Sequence, residues 1–197
     1  MRDFNVILFD GFETLDAFGP VEIAGKRPEI YRLEYFSISG GLVTSAQNIQ
    51  INTRPFSEIT SGGILLVPGG QGTRRLVDDT NFISALTDSV KSARYILSVC
   101  TGAALLARTG VLDGRAATTN KRAFDWASGQ GVAVNWQKRA RWVVDGNIYT
   151  SSGISAGMDM TLGFIADTQT CELAVEIAQQ IEYIWNSNKK DDPFALE

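Results

Sequence analysis

The 197-residue chain contains no histidine. That absence removes the imidazole, the side chain that titrates nearest neutral pH and the commonest metal ligand, so neither Ser-His-Asp nor Cys-His catalysis is open to it. Any chemistry must run on carboxylates, thiols, hydroxyls and backbone amides. Cysteine is nearly as scarce. Cys100 and Cys171 are too few for a disulfide framework and read as free thiols in a reducing cytoplasm. No stretch approaches the roughly 18 apolar residues that a membrane helix needs, so no membrane partner is expected. The opening "MRDFNVILFDGFE" lacks a small-residue cleavage site and reads as a first strand, not an export signal. Neither charge sign dominates: 18 basic against 22 acidic residues leave a formal charge of -4, which provides no field to draw the chain onto phosphate backbones. A nucleic-acid partner is not expected.

What remains is an ordinary globular composition, 44% apolar and 20% charged, at a length that suits one domain spanning residues 1–197. Short apolar runs at 5–9, 32–38, 63–67 and 95–99 read as strands, and several are apolar without alternation, as strands covered on both faces must be. Between them, 14–26 and 81–93 carry apolar residues at helical spacing. This βαβ alternation predicts an α/β sandwich. A hairpin is expected at 141–150 around Asp145-Gly146, a helix after Gly153 and Ser155, and a last amphipathic helix over 171–185.

Three stretches could carry chemistry. In "SVCTGAALLA" (98–107), Cys100 stands where a strand gives way to a helix, with Ser98 two residues before it and Gly102 two after. Small residues in that spacing permit the tight strand-to-helix turn of a nucleophile elbow, and a helix N-terminus there is expected to lower the thiol pKa. The spacing equally allows a buried, inert thiol. In "VPGGQGTRR" (67–75), Gly69, Gly70 and Gly72 allow backbone amides to approach a ligand, or simply make a turn; neither phosphate-loop pattern is complete. In "LDAFGPVE" (15–22), Asp16 and Glu22 follow the first strand, on the side of a parallel sheet where ligands bind. From spacing alone Asp16 reads as an exposed helix cap and Glu22 as part of a solvated helix face. Cys171 has no elbow around it, the basic residues Lys138, Arg139 and Arg141 read as a solvated face, and the four tryptophans are too dispersed for a cofactor box.

Taken in order, "LDAFGPVE", "LLVPGGQG", "SVCTGAALLA", "LDGRAATT" and "SSGISAGMD" resemble the ThiJ/PfpI superfamily, and within it the isocyanide (isonitrile) hydratases, over nearly the whole chain. The resemblance implies a flavodoxin-like three-layer sandwich of the class I glutamine amidotransferase type, with a mostly parallel central sheet and helices on both faces. It also implies a homodimer, a small-molecule substrate, and no metal or organic cofactor. It makes Cys100 the nucleophile, Asp16 its acid/base partner and Thr101 a neighbour that shapes the site. Gly69 and Gly70 would supply amides near the thiolate, Gly153 and Ile154 would pack beside the cysteine, and Glu22 matches the family's glutamate after Gly-Pro. Where many relatives have Thr-Thr-His-Trp, this chain has Thr118, Thr119, Asn120 and Lys121, so Asn120 becomes a changed pocket wall. The reaction implied is hydration of an isocyanide to an N-substituted formamide. A glyoxalase- or deglycase-type reaction on small α-dicarbonyls is the alternative, as is a ligand- or redox-sensing domain of the kind found in some AraC-type regulators.

Overall fold

The computed structural model describes residues 1–195. In chain order the elements are β1 (Arg2–Ile7), α1 (Thr14–Gly25), β2 (Tyr31–Ser37), β3 (Ser39–Thr44), β4 (Gln50–Pro55), β5 (Ile64–Val67), α2 (Thr73–Leu76), α3 (Thr80–Ser92) and β6 (Tyr95–Val99). They continue with α4 (Gly102–Arg108), β7 (Ala116–Ala117), α5 (Phe124–Ser128), β8 (Asn135–Trp136), β9 (Trp142–Asp145), β10 (Ile148–Ser151), α6 (Ala156–Thr168) and α7 (Cys171–Gln180).

Eight strands form one sheet in the order β3-β4-β2-β1-β5-β6-β10-β9. The six inner strands pair in parallel, and the edge strands β3 and β9 run antiparallel to their neighbours. All four residues of β5 and the last four of β1 are buried, as expected for strands covered on both faces. One layer of helices contains α1, α6 and α7, packed against one another; the other groups α2, α3 and α5 around α4. The flavodoxin-like sandwich implied by the sequence is therefore the observed fold. After β4 the chain crosses back past β2 and β1 to β5, so the strand order reverses between β1 and β5, the place where open α/β sheets leave a crevice at their C-terminal ends.

Some local expectations shift. The β9–β10 turn centres on Gly146-Asn147, one residue later than expected, because Asp145 still pairs with Ile148 and only Gly146 has positive φ, the type II′ pattern. The last helix stops at Gln180, not at 185. Glu182 turns left-handed (φ 53), and Tyr183 N donates to Ala178 O at 2.9 Å while Glu182 N donates to Gln179 O at 3.1 Å, the two bonds of a Schellman stop.

Arg141 is not on a solvated face. It is buried against Asp159, with its Nε 2.7 Å from Asp159 Oδ2, and Asp192 lies 3.6 Å from its Nη1. That pair braces the site, because the Arg141 carbonyl accepts from Ser152 N at 2.8 Å and the Ser152 carbonyl accepts from Cys100 N at 2.9 Å.

Candidate active site

Cys100 follows the last residue of β6 and precedes α4 by one residue. Its φ of 57° lies in the left-handed region, which costs a non-glycine residue about 1 kcal/mol or more. Several contacts hold it there. Its amide donates to the carbonyls of Ser151 and Ser152, and its own carbonyl accepts from Thr119 Oγ1 at 2.9 Å. The strain turns the side chain away from the path of the strand into the crevice, as an elbow requires.

Close approach on both sides depends on missing side chains. A Cβ on Gly153 would stand 2.9 Å from Cys100 Sγ and would run into the Asn120 side-chain amide. A Cβ on Gly69 would stand 2.6 Å from both the amide nitrogen and the hydroxyl of Thr101.

Asp16 enters from the first turn of α1. It caps nothing: Glu13 occupies the cap position, and Asp16 is fully buried. Its Oδ2 accepts from Gly69 N at 3.0 Å, while Oδ1 has no hydrogen-bond partner of good geometry. The group that faces the carboxyl is the Cys100 thiol. Burial raises the Asp16 pKa to about 8; the Gly69 amide pulls it down, the nearby Glu13 charge pushes it up, and the thiol pulls it down.

The thiol also moves, against the sequence expectation. Burial first, and the adjacent Asp16 charge second, push its pKa well above the usual thiol range, and the Thr101 amide offsets only part of this. A helix N-terminus lowers a thiol pKa when the sulfur is wet; here desolvation outweighs it.

The two loop glycines do not present their amides to the sulfur as expected. Gly69 N holds Asp16, and Gly70 N donates to Thr101 Oγ1 at 3.1 Å. Thr101 Oγ1 also accepts from Thr73 Oγ1 at 3.1 Å. The glycine loop therefore sets the acid and the threonine, and the amide that reaches the sulfur is that of Thr101.

Over Cys100 lies a cavity of about 410 Å³, within the range of small-ligand sites. Gly70, Thr101, Asn120 and Ile154 line it. Asn120 also accepts from Ala123 N at 2.9 Å, capping the turn before α5. Glu22 takes no part. It lies about 240° further round α1 than Asp16, its side chain is 56% exposed, and it pairs with Lys26 at 2.6 Å. Glu13, Gln71, Arg74 and Arg122 line the cavity although nothing in the sequence singled them out. Cys171, exposed at the start of α7, does not line this cavity.

This geometry has relatives. The DJ-1/PfpI family pattern matches residues 4–167. The chain belongs to this family. It is 30% identical over 179 residues to an isonitrile hydratase of Pseudomonas putida, covering 90% of this chain and 76% of that protein. It is 28% identical over 184 residues to the HTH-type transcriptional regulator CdhR of Pseudomonas aeruginosa; 91% of this chain matches, but it spans only 54% of that protein. A solved ThiJ/PfpI family structure from Pseudomonas syringae superposes with a TM-score of 0.84 at 28% identity, covering 92% of this chain and 75% of that one. No helix among the described residues of this DJ-1/PfpI chain is long and apolar enough to cross a membrane.

Proposed function

We propose that the chain is an isocyanide hydratase-like enzyme in which Cys100 is the nucleophile and Asp16 moves its protons. The supporting observation is a fully buried carboxyl with one oxygen unpartnered, facing a strained, buried thiol, in a chain with no imidazole. Such a carboxyl titrates near neutral pH, where a group that both accepts and returns a proton works best. The likeness to an isonitrile hydratase over 76% of that protein points the same way.

In the reaction as proposed, Asp16 in its ionised form takes the Cys100 proton as sulfur attacks the terminal carbon of R–N≡C. An S–C bond forms, and Asp16 returns the proton to that carbon, giving a thioimidate, R–N=CH–S–Cys. Water then adds across C=N, one of its protons passing through Asp16 to nitrogen. Collapse of the tetrahedral intermediate breaks the C–S bond, and the hydroxyl proton returns to sulfur. The net change is R–N≡C plus water to R–NH–CHO, with no oxidant or reductant. The Thr101 amide stabilises sulfur whenever it is anionic.

A panel of isocyanides and small α-dicarbonyls tests the reading by mass-spectrometric product analysis, with Cys100→Ser as control. Formamide from isocyanides supports it. Lactate from methylglyoxal without any formamide would replace it with glyoxalase-type chemistry. A ligand-sensing reading draws on the likeness to the longer regulator, and it predicts saturable binding without turnover. Peroxide sensing is disfavoured by burial and a raised thiol pKa, since exposed low-pKa thiolates oxidise first.

A further inference from the structure

The cavity over Cys100 carries two guanidinium groups, Arg74 and Arg122, and one carboxylate, Glu13. Glu13 is occupied, accepting from Gln47 Nε2 at 3.0 Å across the loop. Arg74 is held quite differently. Its guanidinium carbon lies 3.4 Å from the ring centroid of Trp126, and among the described residues no carboxylate or carbonyl is paired with it or with Arg122. Stacking grips the face of the guanidinium and leaves its five N–H groups directed outward in its own plane. Its charge is also felt at Cys100. A cation fixed by its face, with its edge unoccupied and a nucleophile in the same cavity, is arranged as a receptor for a planar anion.

Resting on the isocyanide reading above, we propose that the substrate bears a carboxylate on its N-substituent and that Arg74 recognises it. With the terminal carbon at Cys100 Sγ, the substituent of a linear isocyanide projects away from the sulfur into the cavity whose wall includes Arg74. Arg122 adds a second positive charge to the lining of the same cavity. Arg74 is a specificity residue: it moves no proton and touches the substituent rather than the reacting carbon. Trp126, one of the four dispersed tryptophans, is the platform that positions it.

The experiment compares isocyanoacetate with its uncharged methyl ester on the wild-type protein and on Arg74→Met, which keeps the apolar stem and removes the charge. The expected result is that wild type favours isocyanoacetate by about tenfold or more in kcat/KM, carried in KM, as one charge-assisted contact provides. The preference falls as ionic strength rises, because the site opens to solvent. It disappears in Arg74→Met, read as the ratio of the two kcat/KM values within that variant. An unchanged preference in Arg74→Met, or a wild-type preference for the ester, overturns the proposal.

A second readout does not depend on turnover. Iodoacetate and iodoacetamide both alkylate a thiolate, forming S–C and releasing iodide, and they differ in one negative charge. The ratio of their rates at Cys100, read on the Cys100 peptide by mass spectrometry, should fall about tenfold in Arg74→Met. If no isocyanide is turned over but this ratio falls, the hydratase reading fails and the anion site stands. If isocyanides are turned over and the ratio does not move, the anion site fails alone.

Discussion

Asp16 on α1 and Cys100 at the end of β6 face each other inside the crevice: the thiol eases proton loss from the carboxyl, while the Asp16 charge opposes proton loss from the thiol. The carboxyl is fully buried and the thiol nearly so. Two adjacent acidic groups in a dry site titrate as a pair, so the first proton leaves the pair near pH 8, and the second only well above it. In the proposed reaction the state with one proton is the reactive one, because it can place a thiolate beside an acid. Turnover, measured as kcat/KM, should rise with pH through about 8 and then level. A profile flat from pH 5 to 9 would mean that Asp16 is not the titrating group.

The same burial makes Asp16 a pH-dependent cost to folding. Its folded-state pKa lies above the unfolded one, so the folded protein holds a proton that the unfolded chain has lost, and stability falls as pH rises from the ordinary carboxylate range to about 8. Asp16→Asn lacks this penalty while keeping an oxygen for Gly69 N. The melting temperature of Asp16→Asn minus that of wild type should increase steadily between pH 4 and 8, reaching several degrees. Thermal melts at a series of pH values check this, and parallel curves would contradict it.

Gly153→Ala separates geometry from composition. The new methyl would stand 2.9 Å from Cys100 Sγ, so either the sulfur or the Asn120 wall must move. Overpacking of this kind costs about 1–3 kcal/mol, or roughly 3–10 °C in melting temperature at this chain length. Displacing a nucleophile by even a fraction of an ångström should lower kcat/KM by about 10²-fold. Circular dichroism would confirm that the variant is folded. Full activity in a folded Gly153→Ala protein would show that Cys100 does not sit against this loop.

Removing Arg141 strands Asp159 as an unpaired buried charge, which costs about 3–5 kcal/mol. Burial already holds the Asp159 pKa up despite Arg141, so without the arginine stability should fall further as pH rises. Arg141→Met should melt about 10 °C below wild type at pH 8 and by less at pH 5. The double variant Arg141→Met/Asp159→Asn should recover part of the loss. No recovery would assign the effect to the packing of the arginine stem rather than to the stranded carboxylate.

The parts of this molecule that were legible in the sequence are those where one physical demand dominates. Strands buried on both faces must be apolar throughout, which exposed β1, β5 and β6 as plain runs. A tight elbow must be flanked by small residues, which marked Cys100. By contrast, β3 and β4 form a largely exposed edge hairpin without an apolar signature, and the stop of α7 uses Glu182 in a conformation usually given to glycine. Charged residues look alike in sequence whether they meet water, a buried partner or a cavity. Arg141, Glu22, Glu13 and Arg74 are four outcomes of that one ambiguity, and only three-dimensional neighbours separate them. The Cys100 pKa shift runs opposite to the sequence expectation for a related reason: the helix N-terminus is visible in the spacing, but the desolvation that outweighs it is not.

In the proposed reaction Cys100 forms a bond to substrate and Asp16 handles the protons of that step. Rapid-quench intact-protein mass spectrometry tests it most directly, with a small isocyanide mixed at pH 8 with wild type, Cys100→Ser and Asp16→Asn. Wild type should show a transient adduct of one isocyanide on Cys100 that decays as formamide accumulates. Cys100→Ser should show neither adduct nor product, and Asp16→Asn should form product at least about 10²-fold more slowly, the usual contribution of a positioned acid or base. Formamide produced at the wild-type rate by either variant would contradict the account.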